Sequence, residues 1–343
     1  LMRVPREKSD LQTHGLRRAM SAFQCATAAC CRRHPKACRH AKPSQVVPAP
    51  SVPLEPVASE AATVRAAAAG GSVIITHTTG SNLPFARNWY AHLQRAGVSS
   101  FVLIATDAAA LAALRTEVPG HVVRCPPAID ACRPHAADDG PRSYRSRGWT
   151  RLMFAVPQML RWVLAMQLDV LWMDTDVVAL ADPLPVLRDL LGANASSSPP
   201  QLLASVDGRF PDEDPRECAQ YYTAETRWGA SAGGSKLCGG LFYLRHGARS
   251  LALVDAWEAR LRGPRAGAKN QPHYNDAIVA TGVAVSLLPC DLFPNGYRYA
   301  SESWRRAQRR PPLAVHNNWI KGHAAKLARF KEWGLWREHT SPS

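Results

Sequence analysis

The sequence lacks any run of eighteen or more apolar residues, so it contains neither a transmembrane helix nor an obvious signal peptide. It also lacks a basic stripe interleaved with aromatic residues, which argues against a nucleic-acid partner. Acidic residues are comparatively few, and the formal net charge is +15 over 343 residues. Because the first residue is Leu and not Met, we expect a fragment that has lost its true start and any membrane anchor that preceded it.

The positive charge is unevenly distributed. Residues 1–70 hold eleven Lys/Arg against four Asp/Glu, which leaves about +8 for residues 71–343. The first segment mixes Ala, Arg, Pro and Ser without a helical or strand period, so we predict a disordered stem or gene-model extension there and a single folded domain over 71–343. A moderately basic domain suits anionic phosphate ligands, although a solvated basic face is an equally good interpretation.

Nine cysteines and one glycosylation sequon are compatible with a secretory protein. Cys125 and Cys132 stand in one Pro-rich loop and could close a small disulfide ring, and Cys218 with Cys238 could close a larger one. The sequon begins at Asn194, in a Ser/Pro-rich stretch typical of a surface loop.

Short apolar strands alternate with helical segments in the first part of the folded domain. Residues 72–76 and 101–105 are apolar runs, and each is followed by a polar loop and then a helical segment. This alternation predicts a parallel sheet, which binds ligands beyond the carboxyl ends of its strands. The two polar loops are therefore candidate ligand-binding segments.

The most informative segment is an apolar strand predicted over residues 170–178, which carries Asp174 and Asp176. Side chains alternate along an extended strand, so both carboxylates should point the same way. Two carboxylates that close repel each other unless a cation or a proton lies between them. Hard oxygen ligands suit Mg²⁺ or Mn²⁺, whose other positions diphosphate oxygens can fill. The alternative is that one aspartate caps the next turn and the other is solvated.

Two later segments carry polar or backbone features with two interpretations each. Gly239 and Gly240 open an apolar strand, where they either let a ligand lie against the backbone or mark a bulge. Residues 270–278 cluster amides and a carboxylate at a predicted helix start, where they serve as caps or as ligand contacts.

Taken in order, these motifs resemble the nucleotide-diphospho-sugar transferases of glycosyltransferase family 77. The resemblance spans about residues 72–336 and includes the Thr-Thr-Gly-Ser-Asn loop at 78–82, the Asp-Thr-Asp segment, Gly239-Gly240, Asn270-Gln271-Pro272, and the segment 315–319 of sequence Val-His-Asn-Asn-Trp. It implies an α/β fold of GT-A (Rossmann-like) type, with a mixed, mostly parallel sheet flanked by helices. It also implies a plant or green-algal enzyme that transfers a pentose or galactose from a UDP-sugar to a cell-wall glycoprotein or polysaccharide, with retention of configuration. A Golgi-lumen location, as a type II membrane protein at full length, follows from the same resemblance.

The resemblance also implies roles for individual residues. Asp174, Asp176 and His316 would hold Mn²⁺ or Mg²⁺, with Asp176 as a direct ligand and His316 as the third. Positive charge and bare backbone would stabilise the departing UDP at Lys321, Gly322 and Lys326, although solvated lysines are the alternative. The remaining donor-binding residues would be Thr78, Thr79, Gly80, Asn82, Asp107, Arg151, Gly239 and Gly240.

The family pattern is broken at one position. Many retaining GT-A enzymes carry Asp-Gln where this chain has Asn270-Gln271, so no Asp nucleophile can be assigned at position 270. We therefore expect same-face attack by the acceptor hydroxyl, with Gln271 stabilising the oxocarbenium-like sugar. Asp276 is the nearest carboxylate in sequence and is either the missing catalytic partner or a residue of the helix start.

Two other functions compete with sugar transfer. A nucleotidyltransferase or phosphodiesterase would use Asp174 and Asp176 for two-metal chemistry and would need a further carboxylate, such as Asp207 or Asp276. A basic binding protein without activity would bind nucleic acid with a steep salt dependence, or would be a transferase-like domain that has lost its chemistry.

Overall fold

The computed structural model describes residues 58–129, 132, 147–193, 200–208, 237–262 and 269–337. All of these lie in one compact unit, Pro50–Ser343. Asn194 of the sequon and Cys218 lie outside the described residues. Within the described ranges, no helix is long and apolar enough to cross a membrane.

Strands and helices alternate along the first part of the chain and group differently later. The strands are β1 (Ser72–Thr78), β2 (Phe101–Ala105), β3 (Val122–Arg124), β4 (Asp169–Met173), β5 (Val177–Ala179), β6 (Leu202–Val206), β7 (Leu237–Leu244), β8 (Val285–Leu287) and β9 (Ala314–His316). The helices are α1 (Ala58–Ala67), α2 (Leu83–Arg95), α3 (Ala108–Glu117), α4 (Arg147–Leu164), α5 (Leu184–Ala193), α6 (Ala248–Arg262), α7 (Asn270–Thr281), α8 (Gly296–Ala300), α9 (Glu302–Ala307) and α10 (His323–Glu332).

Seven of these strands form one mixed sheet in the order β3-β2-β1-β4-β7-β6-β8. Neighbours from β3 to β4 are parallel, β7 runs antiparallel to both β4 and β6, and β8 is parallel to β6. The carboxyl ends of β1, β2, β4 and β6 therefore meet the amino end of β7 at one edge. The predicted mixed, mostly parallel sheet is confirmed. β5 and β9 form a separate antiparallel pair, in which Val177 lies opposite His316.

The sheet is buried on both faces, as its continuous apolar strands predict. In β1, Val73 and Ile75 pack into one core with helices α4, α6 and α7, whereas Ile74 packs into the other with α2 and α3. All three side chains are fully buried. Burial of each contributes roughly 1.5–3 kcal/mol relative to exposure, so the edge that carries the strand ends is held firmly.

The structure differs from the sequence-based prediction at the boundary of the folded domain. Helix α1 lies inside the segment 1–70, where we predicted a disordered stem, and its Ala61 and Val64 pack into the core. The alternation of Ala with single apolar residues gives this helix almost no amphipathic signal, and tertiary burial stabilises it instead. Residues 1–57 lie outside the described residues.

Two other predictions of local structure are corrected or confirmed. The strand predicted over 170–178 is interrupted, because Asp174 begins a turn closed by the bond from the Val177 amide to its carbonyl oxygen, 2.8 Å. Pro157 lies inside one continuous helix, α4. The predicted disulfide between Cys125 and Cys132 is present.

Candidate active site

Three potential metal ligands converge where β4 ends and the small β5–β9 sheet begins. Asp174 and Asp176 lie in the turn between β4 and β5, and His316 reaches them because β9 pairs with β5. Each of the three side chains offers one ligand atom, and these atoms lie within 4.8 Å of one another. The aspartates thus converge through a turn and not through the strand alternation on which the prediction was based.

The charges of this cluster are only partly balanced. Burial and the neighbouring Asp176 raise the pKa of Asp174 to about 6, although the Trp172 indole N–H donates to its Oδ1 at 2.9 Å. Burial alone would raise the pKa of Asp176 as well, but Lys326 and His316 hold that pKa well below its usual range. The Lys326 ammonium lies 2.5 Å from Asp176 Oδ2. A divalent cation would stabilise both carboxylates in the charged form.

Gly240 leaves the space in which this cluster meets. A Cβ atom at Gly240 would lie 2.6 Å from Asp174 Oδ2 and 2.7 Å from His316 Cε1, too close for any larger residue. The register of β7 against β6 also shifts here, so both interpretations of the glycine pair, close approach and a bulge, apply. Two carboxylates, an imidazole and this clearance together fit a divalent cation such as Mn²⁺ or Mg²⁺.

Cys238 supports His316 from behind. Its sulfur lies 3.4 Å from His316 Nδ1, while His316 Nε2 is 3.4 Å from Asp176 Oδ1. Contacts of this kind fix the orientation of a ligating imidazole. Cys238 is buried and is not disulfide-bonded, so the predicted pairing of Cys218 with Cys238 is wrong. Cys290 is disulfide-bonded, to a partner outside the described residues.

A polar network lies beside the cluster, at the ends of β6 and β7. Gln271 accepts from the Gly239 amide at 3.2 Å and donates from Nε2 to Asp207 Oδ2 at 2.6 Å. The Asn318 amide nitrogen lies 3.5 Å from Asp207 Oδ1. Gln271 is therefore fixed between the backbone of β7 and a carboxylate, as a group that faces a bound sugar must be.

Asp276 lies elsewhere on α7. Five residues along a helix correspond to a rotation of about 140° between the directions of Gln271 and Asp276. Burial lowers the pKa of His273, and the charge of Asp276 opposes that effect, which locates Asp276 beside His273. Asp207 and not Asp276 is the carboxylate in contact with Gln271, and the catalytic role of Asp276 stays a prediction.

The loop predicted to border the nucleotide lies at the ends of β1 and β2. Thr78 and Thr79 are buried, and both carboxylate oxygens of Asp107 accept from the Gly80 amide at 3.0 Å. Asp107 is also the N-cap of α3. Asn82 donates to Thr175 Oγ1 at 2.8 Å and so ties this loop to the turn that carries the two aspartates.

The predicted phosphate-binding residues are divided between two places. Gly322 precedes α10 with φ +86°, which glycine adopts readily, and Lys326 lies on the same helix in contact with Asp176. Lys321 is exposed next to Gly322. Arg151 lies on α4, in a small hollow that Gln158 and Glu258 also line. The helix start of α10 thus supplies amide dipoles and a lysine beside the cluster.

Sequence reasoning missed two members of the site. Asp207 follows β6 directly, so the rule that singled out the loops after β1 and β2 would also have indicated it. Cys238 was interpreted as a disulfide cysteine, since no local pattern reports which side chain stands behind a histidine of a distant strand.

The chain matches a known family over most of its length. Residues 96–330 match the model of the nucleotide-diphospho-sugar transferase family, so the chain belongs to that family. The resemblance to glycosyltransferase family 77, the GT-A fold class and the activity class of glycosyltransferase are thereby confirmed. The chain is an enzyme, which sets aside both the nucleotidyltransferase or phosphodiesterase and the non-catalytic binding protein.

Several relatives have known activities. A UDP-D-xylose:L-fucose alpha-1,3-D-xylosyltransferase of Arabidopsis thaliana is 28% identical over 279 residues, which cover 78% of this chain and 70% of the relative. A UDP-galactose:fucoside alpha-3-galactosyltransferase of Dictyostelium discoideum is 25% identical over 214 residues, covering 57% of this chain and 29% of the relative.

Solved structures of low sequence identity are also similar. The galactosyltransferase LgtC, in complex with donor and acceptor sugar analogs, is 13% identical with a TM-score of 0.45, covering 76% of this chain and 94% of LgtC. Mouse xyloside xylosyltransferase 1 is 12% identical with a TM-score of 0.41, covering 74% of this chain and 99% of the mouse protein.

Proposed function

We propose that this enzyme transfers a pentose or galactose from a UDP-sugar to a fucose-bearing glycan of a glycoprotein or polysaccharide, with a divalent cation and with retention of anomeric configuration. The observation that carries the proposal is the convergence of Asp174, Asp176 and His316 beside Gly240. A bound Mn²⁺ or Mg²⁺ would neutralise the donor diphosphate as the sugar–phosphate bond breaks.

The chain's own residues do the rest of the positioning. The amide end of α10 and Lys321 add positive potential beside the cluster, where negative charge develops on UDP. Gln271, fixed by Asp207 and the Gly239 amide, presents a polar group to the sugar without the freedom to rotate away. The acceptor hydroxyl would attack from the face that UDP leaves, and its proton would pass to a diphosphate oxygen.

The donor and acceptor classes are inferred from relatives. Arabidopsis relatives between 28% and 29% identical are named for UDP-D-xylose and L-fucose, and the Dictyostelium relative for UDP-galactose and a fucoside. Both names specify an alpha-3 linkage. A product with the α configuration of the UDP-sugar itself is what a retaining transferase gives. The sugar is therefore proposed as xylose first and galactose second.

We also propose that the enzyme works in the Golgi lumen, on cell-wall glycans. The disulfide between Cys125 and Cys132 and the bonded state of Cys290 support an oxidising compartment. Fluorescence microscopy of the full-length protein with a C-terminal tag, beside a Golgi marker, tests this location. A cytosolic signal would contradict it.

A donor screen tests the proposed activity. Purified enzyme is incubated with Mn²⁺ and UDP-xylose, UDP-arabinose or UDP-galactose, with and without methyl α-L-fucoside, and the release of UDP is measured. We expect one donor to be turned over faster when the fucoside is present, and NMR of the product to show an α linkage. Release of UDP from none of the three sugars would refute the donor class, and a β product would refute retention.

A further inference from the structure

Two exposed aromatic side chains lie together beside the polar network. Tyr297, on α8, is 37% exposed and Trp319 is 41% exposed, and their ring centroids are 6.1 Å apart at an interplanar angle of 59°. Within the described part of the chain, the other large hydrophobic side chain with comparable exposure is Val279, on α7. Exposed aromatic area concentrated at one place is typical of a ligand-binding surface.

The backbone holds Trp319 in a conformation that a bulky residue rarely adopts. Its φ is +61°, in the left-handed region. The neighbouring Asn318 fixes this geometry, because its Oδ1 accepts from the Gly296 amide at 2.7 Å and its carbonyl oxygen accepts from the Arg329 guanidinium. A Cβ atom at Gly296 would lie 2.2 Å from the Asn318 carbonyl oxygen. The segment that carries Trp319 is thus locked against the start of α8, which carries Tyr297.

The pair lies on the side of the site that faces away from the loop predicted to bind the nucleotide. Asn295, two residues before Tyr297, donates to the carbonyl oxygens of Val206 and Gly208 at 3.3 and 3.0 Å, which anchors α8 at the end of β6. In the sheet, β7 and β4 separate β6 from β1. Asn318, next to Trp319, reaches Asp207. The aromatic pair therefore borders the Asp207–Gln271 end of the site.

We propose that Tyr297 and Trp319 form the binding platform for the acceptor sugar. This inference rests on the proposed function. A pyranose ring presents a face of C–H groups that packs on an aromatic ring, and its hydroxyls can then hydrogen-bond to polar groups such as Asp207. The strained backbone at Trp319 holds the indole at the surface, where it contributes to binding and not to the core.

Steady-state kinetics with the fucoside acceptor and the UDP-sugar selected above test the platform. The main variant is Trp319→Gly, because glycine adopts a positive φ without strain and removes the ring without disturbing the fold. We expect the KM for methyl α-L-fucoside to rise about tenfold, the effect of one lost aromatic contact, while the KM for the UDP-sugar stays unchanged. Tyr297→Ala should raise the acceptor KM in the same way, and Trp319→Phe, which keeps a ring, should restore most of the affinity.

The controls separate this proposal from its alternatives. Val279→Ala changes an exposed apolar residue on α7 and should leave both KM values as they are. Thermal melting should show Trp319→Gly to be at least as stable as the wild type. An unchanged acceptor KM in the glycine variant overturns the platform, and so does a rise in the UDP-sugar KM, which would assign the rings to the uracil. If the wild-type enzyme releases no UDP from any donor, the proposed function fails first.

Discussion

The two halves of the ligand-binding edge are built differently. On the β1–β2 side, Asp107 holds the amides of Gly80 and Ala110, so its carboxylate is bonded to the backbone of its own loops. On the β7–β6 side, side chains hold other side chains, as in the contacts of Gln271 with Asp207 and of Cys238 with His316. Backbone contacts tolerate side-chain changes elsewhere, whereas contacts between side chains are lost with either partner. Single substitutions should therefore reduce activity mainly in the second half and in the cluster between the halves.

The largest effect is expected at the boundary between the halves. Asp176→Asn keeps the shape of the side chain but removes the charge that faces Lys326 and His316. We expect loss of Mn²⁺ binding by electron paramagnetic resonance and a fall in transfer of about a thousandfold, or roughly 4 kcal/mol of transition-state stabilisation.

Asp169→Asn is the matched control for this substitution. Asp169 lies at the opposite end of β4, where it accepts from the Tyr243 hydroxyl at 2.8 Å. We expect a lower melting temperature at most, and Mn²⁺ affinity equal to that of the wild type. Equal loss of Mn²⁺ binding in both variants would mean that the strand, and not the cluster, had been perturbed.

The two glycines of β7 give the next largest contrast. The new methyl group in Gly240→Ala would displace Asp174 and His316, and a displacement of about 1 Å costs on the order of a hundredfold in rate. In Gly239→Ala the nearest atom, Gln271 Cβ, would be 3.8 Å away, an ordinary contact. Titration of Mn²⁺ should therefore show weaker binding for Gly240→Ala and wild-type binding for Gly239→Ala. The reverse order would contradict the arrangement of the site.

A third comparison concerns the carboxylate that supports Gln271. Asp207→Asn replaces a charged acceptor with a neutral one, and the hydrogen bond to a charged group is worth about 1.5–3 kcal/mol. We expect kcat to fall about thirtyfold with the KM for the UDP-sugar little changed. Asp276→Asn should leave kcat within about twofold, because Asp276 points to another side of α7. A larger loss at Asp276 would restore it as the catalytic partner and would count against Asp207.

The two halves of the edge also differ in how far the sequence alone predicts them. Strands β1 and β2 with their loops follow from local patterns, since each apolar run is followed by its own polar loop. Asp174 and Asp176 were singled out correctly, but from an alternation that the turn at 174–177 replaces. Family resemblance alone indicated His316, because only the pairing of β9 with β5 brings it near. Local sequence does not encode such long-range contacts.

Cys238 is the clearest case of this limit, and it supplies the smallest expected effect. Cys238→Ala removes the atom that faces His316 Nδ1, and loss of such a support weakens metal affinity by about tenfold. Cys238→Ser keeps a polar hydrogen atom at this place and should recover most of the Mn²⁺ affinity. Because both variants shorten the same buried side chain, a loss of packing would lower both melting temperatures alike. Only an orienting contact would separate the two variants in Mn²⁺ affinity, so equal affinities would reduce Cys238 to a core residue.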